Sequence, residues 1–209
     1  MISSRLGFRE RRYLALGSAA GPEMQAARRL LGLGARVHIA SADALEPELE
    51  ACRIGARAQP DAAELSRRLG GMRLHGAVIG PTTQGVAASL LGDGAAWEES
   101  LARNFLTPLQ LVKGLAAGGG LAAGASLVLR LADGAADDLA AAAASAALQH
   151  AFFHGRRELL QAGMRVNFLS GEDLESGPFL FLLSDASRWM TGSLMVADRG
   201  QGLRKVPLS

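Results

Sequence analysis

The strongest constraint on the fold lies between Arg12 and Ala40. Arg12-Tyr-Leu-Ala-Leu-Gly17 is a short apolar run closed by the turn Gly17-Ser-Ala-Ala-Gly21. From Pro22 to Leu33, apolar residues recur at Met24, Ala27, Leu30 and Leu31, which lie on one face of a helix. Pro22 suits a first helical turn, where its missing N–H would have had no partner, and Gly34 suits the C-terminal stop. Val37-His-Ile-Ala40 then follows as a second strand. Strand, tight turn, helix and strand within about 30 residues make a βαβ unit, and its crossover forces the two strands to run parallel.

The same rhythm continues. Ala56 to Gln59, Gly76 to Ile79, Ser126 to Leu131, Arg165 to Leu169 and Ser193 to Ala197 are predicted as further strands. Trp97 to Leu115 is predicted as one long helix and Asp138 to Gln161 as another, with acidic residues at its positive end. Phe179 to Leu183 is a helix rather than a strand, because Ser-Asp-Ala-Ser stops it, and Gly118 to Gly120 form a turn. The alternation predicts an α/β, Rossmann-like, doubly wound parallel sheet with helices on both faces. With 209 residues and 49% apolar content, one core and a single domain over 1–209 are expected.

Composition excludes several functions. The formal charge is +2 and the charges alternate in sign, so no concentrated basic face exists for nucleic acid. Cys52 is the sole cysteine, which rules out an intrachain disulfide or a thiolate zinc site and favours a reducing compartment. Met1 to Arg12 lacks the apolar stretch of a signal peptide, and Leu139 to Phe153 is too short and polar to span a bilayer, carrying Ser145, Gln149 and His150. A cytoplasmic protein is expected, with no membrane contact. His150 and His154 lie four apart on one helix face, but neither an intervening Glu in the zinc-protease position nor a third ligand accompanies them, so no metal is expected. Asp133, Asp137 and Asp138 stand where a helix begins and are read as caps. Arg67, Arg68, Arg156 and Arg157 are read as solvated faces or interface rims.

Taken in order, these pieces resemble the short-chain dehydrogenase/reductase family over nearly the whole chain. Gly17-Ser-Ala-Ala-Gly21 resembles the first two glycines of the family's nucleotide turn, and Leu74-His-Gly-Ala-Val78 the strand leading to its Asn-Asn-Ala-Gly motif. Trp97-Glu-Glu-Ser-Leu-Ala-Arg-Asn104 resembles the helix that carries a structural Asn. Gly163-Met-Arg-Val-Asn167, Phe181-Leu-Leu-Ser-Asp-Ala-Ser187, Thr191-Gly192 and Val196-Ala-Asp-Arg-Gly200 resemble the family's sixth strand, closing helix, Thr-Gly turn and Asp-Gly-Gly strand.

The departures from that family fall on its chemistry. The resemblance places Ala141 at the catalytic Tyr position and Ser145 at the Lys position, and the catalytic Ser position near Leu131 or Ala132. The chain has one tyrosine, Tyr13, and two lysines, Lys113 and Lys205, none of them in that arrangement. A tyrosine of ordinary pKa about 10 needs a nearby cation to exchange a proton near neutral pH, and alanine carries no proton to exchange. Of the four catalytic positions, Asn104 alone persists, with an expected role of bonding backbone around a kink. In the nucleotide turn, Gly17 and Gly21 remain as vestiges while Glu23 holds the third glycine position, where it adds bulk and like charge beside a pyrophosphate and is read as satisfying its own helix dipole. Ile79-Gly-Pro-Thr82 replaces Asn-Asn-Ala-Gly, and Ser41 could meet a ribose phosphate with no Arg beside it. The family's substrate loop is shortened near 168–178, which would leave a pocket open to solvent.

The helix from Asp138 to Gln161 is lined with alanine and then Leu148, Phe152 and Phe153, apolar around more of its circumference than one sheet face can bury. The resemblance implies that this helix and 97–115 meet a second subunit. The expected function is a catalytically inactive subunit with no cofactor of its own. It would assemble with and stabilise a homologous active alcohol dehydrogenase or ketoreductase, which binds NAD or NADP and acts on hydroxyacyl-CoA substrates. Heteromeric alcohol dehydrogenases of the benzylsuccinate type are the model for this pairing. The alternatives are an active NAD(P)-dependent oxidoreductase with rearranged catalytic residues and a stand-alone ligand-binding regulator.

Overall fold

The computed structural model describes residues 7–57, 60–81, 88–132, 138–171 and 174–199. In chain order the elements are β1 (Arg12–Leu16), α1 (Pro22–Gly32), β2 (Arg36–Ala40), α2 (Pro47–Glu50), β3 (Arg53–Gly55), α3 (Ala62–Leu69) and β4 (Leu74–Ile79). Next come α4 (Gly94–Leu101), a π turn (Ala102–Leu106), α5 (Thr107–Ala117), β5 (Leu121–Arg130), α6 (Leu139–His154), α7 (Arg156–Gln161), β6 (Met164–Ser170), α8 (Ser176–Leu183) and β7 (Leu194–Val196). The strands form one sheet of order β3-β2-β1-β4-β5-β6-β7, and every pairing is parallel. The predicted doubly wound sheet is therefore the fold, Rossmann-like and of one domain.

Alternation along β1 shows how both faces are covered. Leu14 and Leu16 join Leu65, Leu111, Leu115, Leu148 and Phe152 on one side of the sheet. Tyr13 and Ala15 join Met24, Leu30, Phe179 and Leu182 on the other. The single tyrosine is thus a core residue with its ring edge-on to Phe8 at 5.7 Å, and burial pushes its pKa up. Lys113 is exposed on α5, and Lys205 lies outside the described residues.

Three boundaries differ from the sequence reading. The third strand is Arg53–Gly55 rather than Ala56 to Gln59. Pairing with β2 fixes it there, Ile39 against Arg53 and Ala40 against Gly55, while 56–57 bend away and 58–59 lie outside the described residues. The helix expected at 97–115 extends from 94 to 117 and is interrupted by the π turn. Pro108 explains the interruption: it cannot supply the N–H of a regular α-helix, so Thr107 N–H reaches back five residues to Ala102 O instead. The helix expected at 138–161 breaks at Gly155, where the Arg156 guanidinium donates to Phe153 O at 2.7 Å and takes up a terminal carbonyl.

Candidate functional site

The strand order reverses direction between β1 and β4, so their C-terminal ends splay the following helices to opposite faces and open a crevice. Gly17 ends β1 on one side of this crevice and Gly80 ends β4 on the other, with the Gly80 N–H donating to Leu16 O at 2.8 Å. The N-terminus of α1 points its first N–H groups into the same space, a place suited to an anion.

An anion from the chain itself is there. Glu23, in the first turn of α1, is completely buried, and its Oε1 accepts from Nε of Arg130 at the end of β5. Three glycines wall the carboxylate. A Cβ at Gly17 would lie 3.0 Å from Glu23 Oε2, one at Gly80 would lie 2.7 Å from Oε1, and one at Gly21 would overlap Oε2. The helix dipole alone does not account for Glu23, as the sequence reading had it: a basic partner from another strand neutralises the side chain inside the crevice.

A second carboxylate takes the turn's own donors. Asp43 Oδ2 accepts from Ser18 Oγ at 2.7 Å and from the Ala19 N–H at 2.8 Å. Those two bonds, the backbone one foremost, hold the Asp43 pKa below the usual carboxylate value. Ser41 is buried, its Oγ accepting from the Asp43 N–H at 3.2 Å. An arginine does accompany it, contrary to expectation: Arg53 donates to the carbonyls of Ser41 and Asp43 and pairs with Glu50. That guanidinium is engaged with backbone and a neighbouring acid.

The second half of the crevice lies over β4 and β5. Asn104, Leu131, Ala132, Ser145 and Leu148 surround a cavity of about 10 Å³ there, room for about one water. Asn104 sits inside the π turn, where its Nδ2 donates to Ser100 Oγ at 3.3 Å and its Oδ1 is buried without a partner, so it bonds a side chain and not the expected backbone. Ser145 Oγ donates to Ala132 O at 3.3 Å, and Ala141 lies buried one turn earlier on α6. Asp138 caps α6 by accepting from the Ala141 N–H at 3.1 Å; Asp133 and Asp137 lie outside the described residues, as does Thr82. β6 ends at Ser170 and α8 begins at Ser176, with 172–173 outside the described residues.

The remaining candidates lie elsewhere. His150 and His154 meet edge-on, ring centroids 4.3 Å apart, on the exposed side of α6, and among the described residues no three His, Cys, Asp or Glu side chains gather as metal ligands. Cys52 is half-buried, its thiol pKa pushed up by burial. Arg68 pairs with Glu64 and donates to Ile54 O, while Arg67 and Arg157 are exposed. No helix among the described residues is long and apolar enough to cross a membrane.

A dinucleotide diphosphate does not fit this turn. Glu23 fills the space that the glycines leave, and Asp43 holds the donors of Ser18 and Ala19. Neither Glu23's partner nor Asp43 was apparent in the residue spacing. Asp43 follows Ser41 by two residues, a polar turn pattern that could have drawn attention to it; Arg130 is 107 residues from Glu23 and meets it only through the β1-β4-β5 strand order.

No protein-family model matches the chain, and no curated protein matches its sequence. Solved structures do. The Pseudomonas aeruginosa RhlG/NADP active-site complex is 19% identical, with a TM-score of 0.78 over 94% of this chain and 98% of that one. Hydroxysteroid dehydrogenase from Escherichia coli is 18% identical, with a TM-score of 0.79 over 95% and 99%. An oxidoreductase of the short-chain dehydrogenase/reductase family from Burkholderia thailandensis is 22% identical, with a TM-score of 0.74 over 91% and 92%. The chain has the fold of these oxidoreductases, around a crevice in which its own side chains, Glu23 and Asp43, stand at the turn after β1.

Proposed function

We propose that the chain is a non-catalytic relative of the short-chain dehydrogenases/reductases that assembles with an active NAD(P)-dependent alcohol dehydrogenase or ketoreductase and stabilises it. The observation that carries this reading is that α6 buries Ala141 and Ser145 one turn apart, with Ser145 lining a cavity of about 10 Å³. Among the described residues, no side chain lining that cavity can hand a proton to a carbonyl oxygen at neutral pH as a cation-assisted tyrosine does. Among the described residues Arg130 is the only cation in the lining, and it is held by Glu23.

The outer side of α6 supports the second half of the reading. Its inner stripe, Ala140, Ala141, Ala144, Leu148 and Phe152, is buried, with Leu148 and Phe152 in the core on one face of the sheet. Its outer side presents Leu139, Ala142, Ala143, Ala146, Ala151 and Phe153, all exposed. Small residues allow a second helix to approach closely, and Leu139 and Phe153 at the ends add larger burial. A related subunit with the same helix matches such a surface, and its own intact cleft would bind the NAD or NADP. Substrates of the hydroxyacyl-CoA class belong to that partner.

Purification from the native source tests this directly. A reductase that retains the Tyr and Lys is expected to co-purify with the chain, and the isolated chain is expected to oxidise no NADH or NADPH with carbonyl substrates. Recovery as a homomer alone, or turnover by the isolated chain, overturns the reading.

A further inference from the structure

We propose that Glu23 is a built-in replacement for the anion this crevice is shaped to hold, so that the chain keeps its cleft closed and ordered with no nucleotide. The inference concerns the phosphate turn and stands whether or not the chain works beside a partner.

Four observations converge on it. Glu23 is the only completely buried carboxylate among the described residues, in the first turn of an 11-residue helix whose N-terminus favours negative charge. Its Oε1 is bound by Arg130 from the end of β5, a strand that does not contact α1's own βαβ unit in the sheet order. Its Oε2 is buried with no hydrogen-bond partner and lies against the places where Gly17 and Gly21 would carry a Cβ. Gly80, across the crevice, borders the same carboxylate from the β4 side.

Glycines at a nucleotide turn ordinarily let backbone approach a pyrophosphate. Here the three positions that lack a side chain leave room for one carboxylate instead. The Glu23–Arg130 pair thus joins α1 to β5 across the switch point, in the space where a bound dinucleotide would otherwise bridge the two halves of the sheet. Asp43 closes the rim by holding Ser18 and Ala19.

If Glu23 is the internal anion, removing its carboxylate leaves a small oxyanion site made of Arg130 and the α1 N-terminus. The probes are inorganic phosphate and acetate, with chloride at matched ionic strength as the control. Thermal unfolding of Glu23→Ala is expected to shift up by roughly 5–10 °C at saturating phosphate or acetate relative to chloride. The Glu23→Ala/Arg130→Met variant is expected to lose that response, and wild type to show none. Should Glu23→Ala be unfolded in chloride, recovery of its circular dichroism in phosphate or acetate supports the proposal. Failure to recover in either salt overturns it, as does a folded Glu23→Ala that does not distinguish the anions. Independently of any variant, calorimetric titration of the wild-type chain with NADH and NADPH is expected to give no binding heat. Saturable heat there overturns the closed cleft yet leaves the absence of turnover untouched, which separates this inference from the proposed function.

Discussion

Asp43 Oδ2 accepts the backbone N–H of Ala19 at 2.8 Å, which fastens the loop after β2 to the turn after β1. The bond favours the ionised carboxyl, so the folded-state pKa of Asp43 lies below its unfolded value. The stabilisation is complete above the unfolded pKa of about 4 and is lost as pH falls through the lower folded-state value. Wild type is therefore expected to unfold at higher temperature than Asp43→Ala at pH 7, and the gap is expected to shrink steadily below about pH 4. Calorimetric scans of both proteins from about pH 7 to about pH 2.5 check the sign; a gap that widens in acid contradicts it.

Breaking the buried pair from one side leaves a charge without compensation. Glu23→Ala or Arg130→Met alone is expected to cost about 3–5 kcal/mol, whereas Glu23→Leu/Arg130→Met should lie closer to wild type than either. Urea unfolding followed by circular dichroism measures all four proteins.

Gly80 is held to glycine by the Glu23 carboxylate 2.7 Å from where its Cβ would stand. Gly80→Ala is expected to cost about 1–3 kcal/mol in wild type, and less in a Glu23→Ala background. A double-mutant cycle reads the coupling directly; additive effects would show that Glu23 does not impose the glycine.

Introducing the Tyr and Lys of the short-chain dehydrogenases/reductases that the chain resembles should not confer their chemistry. Ala141→Tyr/Ser145→Lys places two large side chains at positions only 4% and 7% exposed, so a loss of about 1–3 kcal/mol per site is expected from overpacking. No NAD(P)H oxidation is expected, because Glu23 and Asp43 still occupy the turn after β1. Spectrophotometric assay with a panel of ketones checks this.

Ala146 lies on the exposed side of α6. Ala146→Glu is expected to change the stability of the isolated chain by no more than about 0.5 kcal/mol, while abolishing recovery of the reductase proposed as its partner on native purification. Unchanged recovery would place the interface elsewhere.

The parallel sheet was legible because strand and helix periods alternate cleanly from Arg12 to Ala40 and the later apolar runs repeat the pattern. β3 was misplaced because a three-residue edge strand has almost no periodicity; pairing with Ile39 and Ala40 decides its position. The π turn had a visible signal in Pro108, whose missing donor matters only inside a helix. At the candidate site, Ala141, Ser145 and Glu23 stood out as departures at known spacings. What Glu23 does depends on Arg130, and a contact over 107 residues follows from strand order and leaves no trace in local pattern. Ser41 was noticed and Asp43 was not, since a carboxylate two residues beyond a strand resembles any solvated turn until its acceptor atom is placed.

The π turn at Asn104 also divides one rod between two neighbours. A single extra residue in a coil advances every later side chain by roughly 100° around the axis. Upstream, α4 runs alongside α6; downstream, Leu111, Val112 and Leu115 of α5 face the sheet, and α5 packs on α3. Deleting one residue between Ala102 and Leu106 would rotate one half against the other, so the length of that segment governs whether both flanks of this layer stay seated at once.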